Sequence, residues 1–163
     1  MRRLLRFPAI MLILALAGNA HAGCGITTST GIAFAPYDVF SAVDNDAQGS
    51  ITVICNIGAA PPNPPVDIRI TISTSPTSGS INPRQMLDPV SGDRLNYNIF
   101  TDAARTIVWS DNAASPNTVL LNNMRRTSPA RTTPVYGRIF AGQDVSAGSY
   151  SDGAAGLTVT ITW

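Results

Sequence analysis

The sequence predicts an all-β fold, a single antiparallel sandwich, from three observations. Apolar and polar residues alternate with period two in several short segments, and no 3.6-residue period is sustained. Lys and Glu, two strong helix formers, are absent, whereas Thr, Ser, Val and Ile are abundant. The connecting segments are rich in Pro, Gly, Ser and Asn and are too short for the helices of a βαβ fold. Short alternating strands joined by such turns are typical of two packed antiparallel sheets.

The first element, residues 1–22, is predicted to be a removable signal peptide. Three arginines form a positive start, a short apolar run follows, and Ala20-His21-Ala22 supplies a small-residue cleavage motif. A membrane anchor is disfavoured because spanning a bilayer needs about 18 apolar residues. A lipoprotein signal is the other alternative, but His21 stands where that motif requires Leu, three positions before Cys24. We therefore predict cleavage between Ala22 and Gly23.

The predicted mature chain, residues 23–163, has the length of one domain and can bury about two-thirds of its unfolded surface. Three of the 11 arginines lie in the signal peptide, which leaves eight Arg against ten Asp and a net charge of −2. This balance provides no basic stripe for nucleic acid or for an anionic membrane surface. We expect neither as a partner, and we expect no membrane span in the mature chain.

The mature chain contains six predicted strands. Residues 66–73 alternate without interruption, with four β-branched apolar residues on one face, and residues 157–163 alternate equally regularly. The other four are residues 50–55, 95–99 and 135–140 and a looser strand at 26–34, which Gly31 interrupts. Turns and loops are predicted for the proline-rich residues 59–65 and for the Ser-, Gly- and Asn-rich residues 73–83, 88–93 and 110–117.

Cys24 and Cys55 are the two cysteines of the chain, and both lie in its exported part. An even pair in an oxidising compartment is most simply a disulfide. Closing a loop of about 32 residues is expected to stabilise the fold by about 3–4 kcal/mol. A catalytic or metal-binding thiol is disfavoured because the single histidine, His21, leaves with the signal peptide.

The residue types of the mature chain argue against catalysis. Without His, Lys or Glu, a serine hydrolase would lack its usual base and a zinc site its imidazole ligands. The ten Asp are spread singly along the chain, so the sequence assembles no acid–base pair. We predict a protein that is not an enzyme and that uses no cofactor and no metal.

One polar cluster, residues 44–49, begins like a calcium loop. Asp44, Asp46 and Gly49 follow the spacing D-x-D-x-x-G, but the bidentate acid required at the twelfth position is replaced by Cys55. We predict a polar turn that leads into the strand at 50–55, and an ion site is the alternative.

The final predicted strand carries the most informative pattern. Its alternate residues Leu157, Val159, Ile161 and Trp163 face one way. A complete immunoglobulin-like sandwich closes with a seventh strand paired to the sixth, so a sixth strand at 157–163 would leave an apolar groove and an unpaired edge. Another chain can fill such a gap by donating a strand. An ordinary terminal strand of a complete sandwich fits the same alternation.

Seven segments, taken together and in order, resemble the spore coat protein U domain family. Two of them are Ile32-Ala33-Phe34-Ala35-Pro36-Tyr37-Asp38 and Thr106-Ile107-Val108-Trp109, and the others are residues 49–55, 95–102, 135–140, 147–152 and 157–163. The resemblance extends over essentially the whole mature chain. It implies an incomplete Ig-like sandwich with one disulfide, whose cysteines match Cys24 and Cys55.

That family includes the subunits of archaic, Csu-type chaperone–usher pili. The resemblance implies export to the periplasm and then to the cell surface, with a periplasmic chaperone, an outer-membrane usher and neighbouring pilin subunits as partners. It also implies that Leu157, Val159, Ile161 and Trp163 line the groove that the chaperone fills first and a neighbouring subunit fills later.

The chain departs from the family pattern at its donor strand. Main-shaft pilins resemble one another in carrying a donor strand before the first cysteine, whereas cleavage after Ala22 leaves Gly23 alone before Cys24. We therefore expect a terminal or minor subunit that accepts a strand and has none to donate. The alternatives are a self-contained secreted coat protein and a tip adhesin that binds a surface or a glycan.

Overall fold

The computed structural model describes residues 23–55, 64–154 and 156–163. The predicted signal peptide at 1–22, with Ala22 of its cleavage site, and most of the proline-rich residues 59–65 lie outside the described residues. The described residues form strands, turns and irregular segments, without a helix.

Within the described residues, eight strands form two sheets. In chain order they are β1 Cys24–Thr30, β2 Asn45–Cys55, β3 Val66–Ile72, β4 Arg84–Leu87, β5 Arg94–Phe100, β6 Val119–Met124, β7 Arg131–Ile139 and β8 Val159–Thr162. The larger sheet has the order β1-β2-β7-β5-β4 and the smaller one the order β6-β3-β8, and all neighbours are antiparallel. β1 and β8 are therefore edge strands of different sheets.

The inner faces of the two sheets share one apolar core. The larger sheet contributes residues such as Ile51 and Val53, and the smaller sheet contributes Ile68 and Ile70, all of them almost completely buried. The indole of Trp109 is also fully buried and donates a hydrogen bond to the carbonyl of Ile70 at 2.8 Å. The predicted all-β sandwich is confirmed, and the alternation of residues 66–73 places their β-branched side chains in its core.

β2 begins at Asn45, so the prediction of a turn is wrong for residues 45–49. Each of these residues pairs with β7, where Arg138 stands opposite Asp46. The Arg138 guanidinium donates to the Asp46 carboxylate at 2.8 and 2.9 Å and lies 3.2 Å from the Asp44 carboxylate. Pairing to a central strand and these charge contacts outweigh the preference of Asp, Asn and Gly for turns.

Other boundaries also differ from the predictions. β1 ends at Thr30, so the prediction of a strand is wrong for residues 31–34, and β8 occupies only part of the predicted strand at 157–163. β4 and β6 were not predicted because neither alternates: β4 has four residues and buries an arginine, and β6 contains two adjacent leucines and two adjacent asparagines.

The fully buried Arg84 joins the two sheets. Its guanidinium donates hydrogen bonds to the carbonyls of Ile72, Ser73 and Trp109 at 3.0–3.2 Å and to the side-chain oxygen of Asn98 at 3.0 Å. Burial lowers the pKa of Arg84 from its ordinary value, although a guanidinium stays protonated in proteins. A charged side chain of β4 therefore holds the end of β3, which belongs to the other sheet.

Candidate functional site

β1 and β8 each have an outer edge with no pairing partner within the described residues. β8 pairs with β3 along one side only, from Arg69–Thr162 to Ile72–Val159. β1 pairs with β2 along one side, and its other side pairs with no strand of the described residues. Each edge presents backbone N–H and C=O groups that an additional strand could bond.

A cavity of about 400 Å³ lies between these two edges. Parts of its wall are formed by Thr30, at the end of β1, by Val159, the first residue of β8, and by Leu157, two residues before β8. Its floor is the apolar inner face of the larger sheet and includes Val135 and Ile99. The cavity has more than twice the volume of an apolar cavity of about 150 Å³ that holds benzene, so it can take several aliphatic side chains.

The four residues predicted to border a groove do not occupy equivalent places. Leu157 and Val159 line the cavity, and both pack against the core. Ile161 also packs against the core but lies farther along β8, outside the cavity lining. Trp163 is 60% exposed. The structure therefore brings Leu157 and Val159 together at the cavity and leaves Trp163 at the solvent-exposed end.

A buried hydrogen-bond network holds the segment that leads into β8. The carboxylate of Asp152 accepts hydrogen bonds from the Tyr97 hydroxyl, from the Ser75 hydroxyl at 2.8 Å and from the Thr77 amide at 3.0 Å. Burial, together with the hydrogen bond to Asp152, raises the pKa of Tyr97 well above its ordinary value, so the phenol keeps its proton and donates. The sequence contained no signal for this network, because Asp152 stands in a Gly- and Ser-rich stretch like an exposed turn residue.

The disulfide fixes the start of the β1 edge. Cys24 is the first residue of β1 and pairs with Cys55, the last residue of β2, with an Sγ–Sγ distance of 2.00 Å. The predicted disulfide is therefore confirmed. Cys24 is also the only buried residue of β1, since Ile26 is 37% exposed and the rest of the strand is polar or glycine.

A second cavity, of about 630 Å³, lies at the other end of the same inner face. Leu95 and Ile139 contribute to its floor, and Tyr37 and Tyr150 contribute to its rim. Ile32, Phe34 and Met86 line both cavities. The two spaces are therefore neighbouring parts of one trough over the larger sheet.

The alternative of an ion site at residues 44–49 finds no support in the geometry. The Asp46 carboxylate contacts the guanidinium groups of Arg138 and Arg105, at 2.8 and 3.2 Å. The hydrogen bond from Arg138 lowers the pKa of Asp46 from its ordinary value. Among the described residues, no group of three or more His, Cys, Asp or Glu is placed to hold a metal ion.

Three strongly exposed apolar side chains lie in loops at one end of the sandwich. Phe40 and Val43 precede the start of β2 and are 93% and 74% exposed, and Val90, in the turn before β5, is 93% exposed. Because Ile139 pairs with both Asn45 of β2 and Tyr97 of β5, these loops project from the same end.

The described part of the chain has no helix with the length and apolarity that a membrane crossing requires. Comparison with protein families matches residues 11–162 to the Spore Coat Protein U domain. No curated protein matches the chain. The matched residues include all eight strands and every residue of the two cavity linings.

Proposed function

Because the chain belongs to the Spore Coat Protein U domain family, a family of exported structural domains associated with chaperone–usher pili, we propose that it is a pilus subunit of the archaic type whose open edge accepts a strand from another chain. Its function in this proposal is assembly by non-covalent contact, without catalysis.

One observation carries the proposal: an apolar cavity lies between two strand edges that have no partner within the described residues. A strand inserted there would exchange main-chain hydrogen bonds with the edges and place alternate side chains in the cavity. Leu157 and Val159 would contact those side chains from the β8 side. An unpaired edge beside an apolar cavity is an aggregation hazard, which a donated strand removes.

The proposed partners follow the order of export. The signal peptide predicted at 1–22 would deliver the chain to the periplasm, where the Cys24–Cys55 disulfide is compatible with the oxidising environment. A periplasmic chaperone would fill the groove first, and a neighbouring pilin subunit would replace it at the outer-membrane usher. The mature protein would then lie on the cell surface.

The predicted cleavage after Ala22 supports a terminal or minor position in the pilus. With that cut, Gly23 alone precedes Cys24, and one residue cannot extend into a neighbour's groove. N-terminal sequencing of the exported protein checks this part of the proposal. A mature start that leaves a strand-length segment before Cys24 would contradict it.

Val159→Asp is expected to reduce the yield of complex with the cognate periplasmic chaperone by at least about 10-fold, since a loss of 1.4 kcal/mol has that effect. Val159 is only partly buried in the free chain, so the new carboxylate can remain hydrated there. An inserted strand would remove that water and leave the charge unpaired in an apolar site. The measurement is the amount of subunit that co-purifies with the chaperone after co-expression of the full chain.

Thr160→Asp is the matched control, because Thr160 is exposed on the opposite face of the same strand. It adds the same charge to β8 one residue away, and it is expected to leave the yield of complex unchanged. Equal losses from Val159→Asp and Thr160→Asp, or no loss from either, would contradict strand acceptance at this groove.

A second candidate function is adhesion to apolar surfaces through the exposed end of the sandwich. Phe40, Val43 and Val90 support it, because single exposed apolar side chains are common but three of them on adjoining loops form a candidate contact surface. This function is compatible with a place at the tip of a pilus.

Replacing Phe40, Val43 and Val90 together with serine is expected to abolish most of the adsorption of the protein to polystyrene beads. The control replaces Ile107 and Leu120, which are 42% and 39% exposed elsewhere on the molecule, with serine. Adsorption is measured as protein depleted from solution, with silica beads as a polar reference surface. If both variants adsorb like the natural sequence, the adhesive function is wrong.

A further inference from the structure

We propose that a crossing segment, residues 31–34, closes one end of the groove and limits the length of strand that the groove accepts. This inference rests on the proposed strand acceptance and assigns a specificity role to Ile32 and Phe34. After β1 ends at Thr30, the chain leaves the sheet edge and crosses the inner face of the larger sheet. Ile32 and Phe34 pack there against the core.

Two glycines of the larger sheet make room for this crossing. A Cβ atom at Gly49 of β2 would overlap the carbonyl oxygen of Thr30. A Cβ atom at Gly137 of β7 would lie 2.7 Å from Cζ of Phe34 and 2.9 Å from Cγ2 of Ile32. The crossing segment therefore lies directly on the sheet backbone at these two positions and leaves no layer between for an inserted side chain.

The crossing segment also divides the trough. Along the inner face of β7, Val135 lines the cavity of about 400 Å³ and Ile139 lines the cavity of about 630 Å³. Gly137 lies between them, under the side chains of Ile32 and Phe34. The Phe34 ring meets the Tyr97 ring edge to face, with centroids 6.3 Å apart, which extends the barrier towards β5.

Polar contacts hold the segment in place from its far side. The Asn45 side-chain amide donates to the carbonyl of Ala35 at 2.7 Å, and the backbone N–H of Gln143 donates to the Tyr37 hydroxyl at 2.8 Å. The crossing segment is therefore anchored just beyond Phe34, although it pairs with no strand in the described part of the chain.

The position of the crossing segment sets the expected length of an inserted strand. β1 has seven residues before the crossing, and Leu157, at the start of the opposite wall, lines the same cavity as Thr30 and Ile32. A strand of about seven residues spans roughly 23 Å at 3.3 Å per residue, which matches the length of the β1 edge. Longer strands would meet Ile32 and Phe34 and gain no further contact.

The test appends a donor strand to the full chain after Trp163, through a short Asn-Gly turn, so that it folds back along β8 towards Leu157. Fused strands of alternating Val and Thr, with five, seven, nine and eleven residues, provide the length series. We expect the midpoint of urea unfolding to rise up to about seven residues and then to stay level. In the Phe34→Ala variant, we expect the midpoint of urea unfolding to rise further with the fused strands of nine and eleven residues.

The outcomes separate this inference from the proposed function. If no fused strand raises the midpoint in the natural sequence, strand acceptance itself is wrong. If the midpoint rises at seven residues and continues to rise equally at nine and eleven, the groove accepts strands but the crossing segment does not limit them. Phe34→Leu, which keeps an apolar side chain but removes the ring, provides a second variant if Phe34→Ala fails to fold. If the midpoint still stays level beyond seven residues in the variant that folds, the role of Phe34 is wrong.

Discussion

Replacing Arg84 with methionine is expected to lower the free energy of unfolding by about 3–5 kcal/mol. The substitution keeps an unbranched side chain but removes all the donors that hold the carbonyls of Ile72, Ser73 and Trp109. Each buried carbonyl that loses its hydrogen-bond donor lowers the stability by about 1–3 kcal/mol, and the substitution leaves two or three such carbonyls. The expected loss is a large fraction of the stability of a typical domain.

Urea unfolding followed by tryptophan fluorescence measures this loss, because Trp109 is fully buried beside the arginine. The matched control is Arg94→Met, since Arg94 is exposed at the start of neighbouring β5 and donates to the Thr77 carbonyl and the Gln85 side chain. We expect the control to change the stability by less than about 0.5 kcal/mol. A similar small change in Arg84→Met would show that the buried network does not hold the sheets together.

Arg84 also shows where prediction from the sequence ends. Strands with regular alternation, such as residues 66–73, were predicted correctly because one face of each is apolar along its whole length. β4 was not predicted because its buried residue is a cation, which sequence patterns assign to the surface. Its burial depends on carbonyls that lie 11 to 25 positions away along the chain, and only the folded topology brings them together.

The candidate groove was predictable on one side only. The alternation of residues 157–163 indicated Leu157 and Val159 as apolar wall residues, and both line the cavity. The opposite wall could not be predicted, because β1 is polar and its position depends on pairing with β2 across the disulfide loop. Residues 31–34 were predicted to extend β1, since nothing local signals that Gly49 and Gly137 allow the chain to cross the sheet.

Replacing both Cys24 and Cys55 with alanine is expected to lower the free energy of unfolding by about 3–4 kcal/mol and to abolish strand acceptance. The first effect is the loop entropy returned to the unfolded chain, since the disulfide joins cysteines with a sequence separation of 31. The second effect is local. Cys24 is the only buried residue of β1, so without the disulfide the strand keeps its backbone pairing to β2 but almost no apolar anchoring.

Hydrogen exchange distinguishes the two effects, because the amides of β1 should lose protection before those of β2 and β7 in the alanine variant. Reduction of the natural sequence with dithiothreitol is the matched control and is expected to reproduce the same pattern. If the seven-residue fused donor strand also bonds the free edge of β1, it should then no longer raise the urea midpoint in either form. Retained stabilisation by that strand would show that β8 alone holds it and that the disulfide serves the fold but not the groove.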